Sequence, residues 1–152
     1  VEEYLKILVD ADACPVISIV EKVAKEKGIE VTLFCDTCHV LASDYSNIIT
    51  VSKGMDAVDF AIVQQGRKGD VVVTQDYGVA AMSLGKGLYA VHQSGKRYTN
   101  ENIDQMMFER HLAKKERRSS SHFRGKGPKK RTPIDDEHFE QSLRNLINEI
   151  QC

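Results

Sequence analysis

Apolar positions along the first 92 residues alternate between two rhythms. Short unbroken runs, such as Leu5–Val9 and Val71–Val73, read as buried strands. Between them, apolar residues recur at three- and four-residue spacing. Val16, Ile19, Val20, Val23 and Ala24 form one such stripe, opened by Pro15 and closed by Gly28. The pattern predicts strands at Tyr4–Val9, Glu30–Cys35, Asn47–Ser52, Asp70–Thr74 and Gly87–Val91. Helices are predicted over Pro15–Lys27, Met55–Gln65 and Tyr77–Leu84. Strands alternating with helices point to an α/β fold with a mainly parallel sheet flanked by helices.

Beyond residue 92 the rhythm changes. Thr99–Arg118 reads as a long helix capped by Thr99 or Asn100. A basic loop follows at about 119–132, and a final amphipathic helix at about 135–150 carries Phe139, Leu143, Leu146, Ile147 and Ile150 in register. This last helix is expected to pack back on the sheet as a C-terminal extension. No internal repeat or second domain is legible, so one domain over residues 1–152 is expected.

Charge sharpens the picture. The net charge is −1, but Arg110–Arg131 holds ten Lys or Arg against a single acid, Glu116, so the remainder is strongly acidic. A basic stretch of this kind can track a phosphate backbone. Lys53 and, in the basic stretch, Arg124, Lys126, Lys129, Lys130 and Arg131 are the candidate cations for nucleic acid. No apolar stretch nears the roughly 20 residues of a membrane span. No signal-peptide pattern opens the chain, so a cytoplasmic protein without membrane association is expected.

The candidate chemistry lies in five aspartates. Asp10 and Asp12 follow the first strand run, and Asp76 follows the Val71–Val73 run. Asp56 and Asp59 lie three residues apart on a predicted helix and share one face. In open α/β sheets, ligands bind beyond the carboxyl ends of the strands, where these acids would gather. Carboxylates so placed repel one another unless a cation intervenes, and hard oxygen donors favour Mg²⁺ or Mn²⁺. The bland alternative is helix capping: Asp12, Asp56 and Asp76 each precede a predicted helix. It does not account for Asp59, inside a helix, or for Asp10 beside Asp12. Thr74 would add a hydroxyl facing the substrate. Two such cations can activate a water and stabilise the leaving oxygen of a phosphodiester.

The cysteines add less. Cys35 and Cys38 have C-x-x-C spacing, followed by His39, but no second pair completes a zinc set. Cys14 lies near a predicted helix start, which would lower its thiol pKa.

Three segments carry a resemblance. Val9–Val16 (VDADACPV), Gly54–Val63 (GMDAVDFAIV) and Gly69–Met82 (GDVVVTQDYGVAAM) resemble the YaiI/YqxD family, as do Gly127-Pro-Lys and Phe139 with Leu143. That bacterial group is placed near the PIN-like nucleases, compact α/β domains whose clustered acids bind Mg²⁺ or Mn²⁺ and cleave RNA. The resemblance implies that Asp10 is the first-strand acid, Asp56 or Asp59 the helix acid, and Asp76 the acid after the later strand. Asp12 is additional to that pattern.

The expected function is metal-dependent phosphodiester hydrolysis, on RNA rather than DNA. Two alternatives stand beside it. One is a nucleic-acid-binding protein without catalysis, its basic arm making the contacts. The other is a phosphatase of the haloacid-dehalogenase type, with Asp10 as nucleophile and Asp12 as its acid-base partner. Against the phosphatase, Cys14 replaces the Thr or Val expected four residues after Asp10, and Asp70 precedes its strand rather than following it.

Overall fold

The structure, a computed structural model, describes residues 4–36, 41–52, 57–119 and 130–151. Six strands form one sheet: β1 (Lys6–Asp10), β2 (Glu30–Asp36), β3 (Asn47–Val51), β4 (Val71–Val73), β5 (Tyr89–Val91) and β6 (Arg97–Tyr98). The helices are α1 (Ile17–Lys27), α2 (Ala57–Gln65), α3 (Tyr77–Gly85), α4 (Ile103–Ser119) and α5 (Pro133–Gln151). The spatial order is β3-β2-β1-β4-β5-β6; the first five strands pair in parallel and β6 pairs antiparallel to β5.

This order creates a switch point. The chain builds outward from β1 to β3, then crosses back through α2 to lay β4 against the other side of β1. At such a reversal, the loops leaving the two central strands diverge and open a crevice at their carboxyl ends. Asp10 ends β1 and Thr74 follows β4, so the crevice opens directly above them.

Strand alternation decides which side chains face which helices. Ile7, Val9, Val71 and Val73 pack with Val16, Val20 and Val23 of the α1 region and with Phe139, Leu143, Leu146 and Ile147 of α5. Leu8 and Val72 face the other way, onto Ile62 of α2 and Val79 of α3. A smaller cluster joins Ala80, Ala90, Tyr98, Ile103 and Met106, and seats the first turns of α4. The C-terminal helix thus covers one face of the sheet with α1, as its apolar register required.

Four differences from the sequence reading have local causes. Pro15 stands just before α1 rather than at its first position; Val16 is the N-cap and no side chain caps the helix. Thr99, not Asn100, holds the approach to α4, its Oγ1 accepting from Asn102 N–H (3.1 Å) while Asn102 Oδ1 accepts from Thr99 N–H (2.9 Å). Pro133 opens the last helix two residues early. β6 was not anticipated. Its turn depends on Gly95 at φ +92, where an added Cβ would lie 2.9 Å from the His138 carbonyl oxygen of α5. Among the described residues, no helix is long and apolar enough to cross a membrane.

Candidate functional site

The phase of β1 and β4 places the first pair of site residues. β1 and β4 run in register from Ile7↔Val71 to Val9↔Val73, so Asp10 and Thr74 come next, on the face shared with Leu8 and Val72. Thr74 Oγ1 donates to Asp10 Oδ2 at 2.9 Å. The same oxygen accepts from the Asp76 N–H at 3.0 Å. The Thr74 carbonyl accepts from Tyr98 Oη at 3.1 Å. Thr74, expected to face substrate, is instead 2% exposed and ties Asp10 to Asp76 from beneath.

Asp76 is the N-cap of α3, its Oδ1 accepting from Gly78 N–H (2.7 Å) and Val79 N–H (3.2 Å). Capping and a site role are therefore compatible: the cap fixes where the carboxylate points. Asp76→Ala should cost about 1 kcal/mol in chemical denaturation, whereas Asp76→Asn, which can still cap, should cost a few tenths. An equal loss in both would show that charge, not capping, sets the stability contribution.

Asp12 reaches the neighbouring strand, its Oδ2 accepting from the Asp36 N–H at 3.2 Å. It does not cap α1. The turn that carries it is unusual, since Ala13 adopts φ 58, a left-handed conformation that costs an alanine about 1–2 kcal/mol. Such strain is found where a loop is held for function. Asp59 lies in the first turn of α2 and is half-buried.

These acids sense one another. The Asp10 carboxyl is raised from the usual 3.8 to about 6, chiefly by burial and in the same direction by the charges of Asp59, Asp76 and Asp12. The Thr74 hydroxyl works against them. Three of the five aspartates singled out from sequence thus act on the carboxyl of a fourth, Asp10. The fifth, Asp56, lies outside the described residues.

The donor set is hard oxygen, which suits Mg²⁺ or Mn²⁺ rather than a softer metal. Among the described residues, no three of His, Cys, Asp or Glu are grouped closely enough to hold an ion. Mg²⁺ is commonly held by one or two carboxylates, with waters and substrate phosphates completing its shell. The Thr74 hydroxyl, bonded to both the Asp10 carboxylate and the Asp76 backbone, brings two of these acids to one place.

The cations divide. Lys53, Arg124, Lys126 and Lys129 lie outside the described residues. Lys130 is exposed. Arg131 Nε donates to Asp136 Oδ1 at 2.6 Å, and its charge acts on both Cys14 and His92. The basic stretch as read from sequence includes a further group at its start that was not singled out. Arg110, His111 and Lys114 of α4 line a cleft of about 280 Å³ with Asp76 and Tyr77. Their three- and four-residue spacing was visible, but the packing that turns this face toward Asp76 was not.

Other candidates fare differently. The Cys14 thiol is pushed up by burial, with the Val16 N–H only partly opposing, so it is not an activated nucleophile. Cys35 is buried beside Thr50 (3.7 Å), and Cys38 and His39 lie outside the described residues. Asp70 stands at the opposite edge of the sheet, accepting from the Lys6 N–H (3.2 Å) and Arg67 N–H (2.9 Å).

Comparison with known proteins places the chain. Residues 8–149 match the family described as "Uncharacterized BCR, YaiI/YqxD family". A UPF0178 protein of Clostridium acetobutylicum is 64% identical over 143 residues, covering 94% of this chain and 97% of that protein. One from Lachnoclostridium phytofermentans is 60% identical over 147 residues, covering 96% and 99%. Among solved structures, Rae1 (YacP) from Bacillus subtilis aligns with a TM-score of 0.45 at 15% identity, covering 95% of this chain and 99% of that one. The chain belongs to the YaiI/YqxD family.

Proposed function

We propose that this protein hydrolyses phosphodiester bonds of nucleic acid with the help of Mg²⁺ or Mn²⁺. One observation carries the reading: acids from three separate segments act on the half-buried Asp10 carboxyl at the switch point of the sheet. A protein gains no stability from such repulsion, and a bound cation would relieve it. RNA is the favoured substrate through the family's likeness to PIN-like nucleases.

One or two of Asp10, Asp12, Asp59 and Asp76 would hold the cation, with waters and substrate phosphates completing its shell and Asp56 a further candidate. A cation bound there supplies a polarised water and charge stabilisation at the phosphate. The chain's own contribution is orientation. Thr74 fixes Asp10 through its hydroxyl, the α3 cap fixes Asp76, and the Ala13 turn fixes Asp12. Cations at the site's margins neutralise the flanking phosphates.

A second reading, a nucleic-acid-binding module without cleavage, is favoured by the absence of a closed metal cage among the described residues. Calorimetric titration of Mn²⁺ separates the two. The hydrolytic reading expects weak binding to the protein alone, strengthened about tenfold or more by a phosphorothioate-linked single-stranded oligonucleotide and lost in an Asp10→Asn, Asp76→Asn double variant. Equal heats in wild type and double variant, with and without oligonucleotide, would favour the binding module.

A further inference from the structure

The cleft between α3 and α4 adjoins the acid site at Asp76, and its α4 wall has no part in holding a cation. The Arg110 guanidinium lies over the Tyr77 ring, 5.4 Å from its centroid. Tyr77 in turn meets Tyr98 edge-on, with centroids 5.7 Å apart at 74°. Tyr98 donates to the Thr74 carbonyl, and Thr74 donates to Asp10. A continuous set of contacts therefore sets the position of Arg110 relative to Asp10. An exposed arginine used only for solubility has no need of such seating.

Beyond this anchor the helix leaves the body of the protein. Every residue from Met107 to Glu116 is exposed, although the helix continues to Ser119. Its charges are sorted. At 100° per residue, Met107, Arg110, His111 and Lys114 share the cleft face, while Glu109 and Glu116 lie on the far side. Arg110 and Lys114 are about 6 Å apart along the axis, a step of the order of the phosphate repeat in an extended strand. Phe108, 60% exposed, flanks this stripe.

We propose that the α3/α4 cleft is a phosphate subsite for single-stranded nucleic acid, from which the exposed half of α4 guides the strand away from Asp76. The occupant follows from the chemistry. Ordered cations at helical spacing recognise a polyanion, and an exposed aromatic ring beside them stacks on unpaired bases. A cleft of about 280 Å³ admits one nucleotide's phosphate and sugar but not a duplex. The inference extends the hydrolytic reading by assigning the substrate's strandedness and its route.

The test is equilibrium binding of a fluorescent single-stranded RNA as a function of KCl concentration. It is run in EDTA, and again in Mn²⁺ on an Asp10→Asn background so that the strand stays intact. Each phosphate contact with a single strand contributes about 0.7 to the salt slope, so Arg110→Ala with Lys114→Ala should make that slope shallower by about 1.4. Phe108→Ala should weaken binding about tenfold with the slope unchanged. Arg110→Lys should keep the slope and lose part of the affinity, because the planar stack on Tyr77 is gone. Duplex RNA should compete poorly.

Unchanged affinity and slope in the double variant would overturn the proposal, even if Asp10→Asn abolishes cleavage. Equal competition by duplex would overturn the single-strand assignment. Altered slopes without cleavage under any metal would uphold the subsite and sink the hydrolytic reading instead. Phe108, Arg110 and Lys114 are exposed, so circular dichroism should show unaltered folding when each is replaced.

Discussion

Asp10→Asn is expected to stabilise the protein while removing its activity. The asparagine Oδ1 can still accept the Thr74 hydroxyl, so the local geometry survives. What disappears is a charge that burial and three neighbouring acids oppose. In the metal-free protein at pH 7, the variant should gain on the order of 2 kcal/mol, allowing for partial exposure of the group. The sign follows from linkage. With a folded pKa of about 6 and an ordinary value of 3.8, Asp10 binds its proton more tightly in the folded chain. Its contribution is therefore most favourable below about pH 3.8 and is lost as pH rises through 6. The stability difference between variant and wild type should open across that window and stay flat above it, as urea denaturation at several pH values would show. A wild type more stable than Asp10→Asn at pH 7 without metal would contradict this description of the site.

The second large effect concerns the C-terminal helix. Phe139 is fully buried between α1 and the sheet, with Leu143, Leu146 and Ile147 beside it. Truncating it to alanine should cost about 3–5 kcal/mol, the range for large aromatic deletions in cores. For a domain whose whole stability is about 5–15 kcal/mol, that is a severe loss, equivalent to a fall in Tm of roughly 10–15 °C. Phe139→Leu should cost under about 2 kcal/mol. A change below 1 kcal/mol for Phe139→Ala would mean that α5 is not part of the core.

Much of this was legible in the chain. The strand runs and helical stripes located every element but β6, because the core positions of both sheet faces are apolar almost throughout, Thr32 of β2 apart. β6 escaped because it is two residues long and is specified by a turn at Gly95 packed against α5, a tertiary fact. The acids were found because each follows a strand or opens a helix, and parallel topology brings such positions to one edge. Thr74 was assigned to substrate because phase shows the face of a strand but not the depth of burial. Arg110 and Lys114 fell within the basic stretch but were not singled out, for a related reason: α4 follows the sheet in sequence, and only its seating through Ile103 and Met106 brings them beside Asp76. Cys14 shows the limit of reasoning from helix ends, since burial outweighs the adjacent backbone donor.

The proposed chemistry joins these observations. A stability–function trade-off at Asp10, a capped Asp76 and a seated Arg110 are the features that a pocket for a cation and a phosphate would use. The measurement that bears on this most directly is cleavage of a 5′-labelled single-stranded RNA by wild type and Asp10→Asn, each with Mn²⁺ and with EDTA. The account predicts cleavage by wild type in Mn²⁺ alone, reduced by roughly 100-fold or more in the variant. Cleavage that persists in EDTA, or that the variant performs as well as wild type, would contradict it.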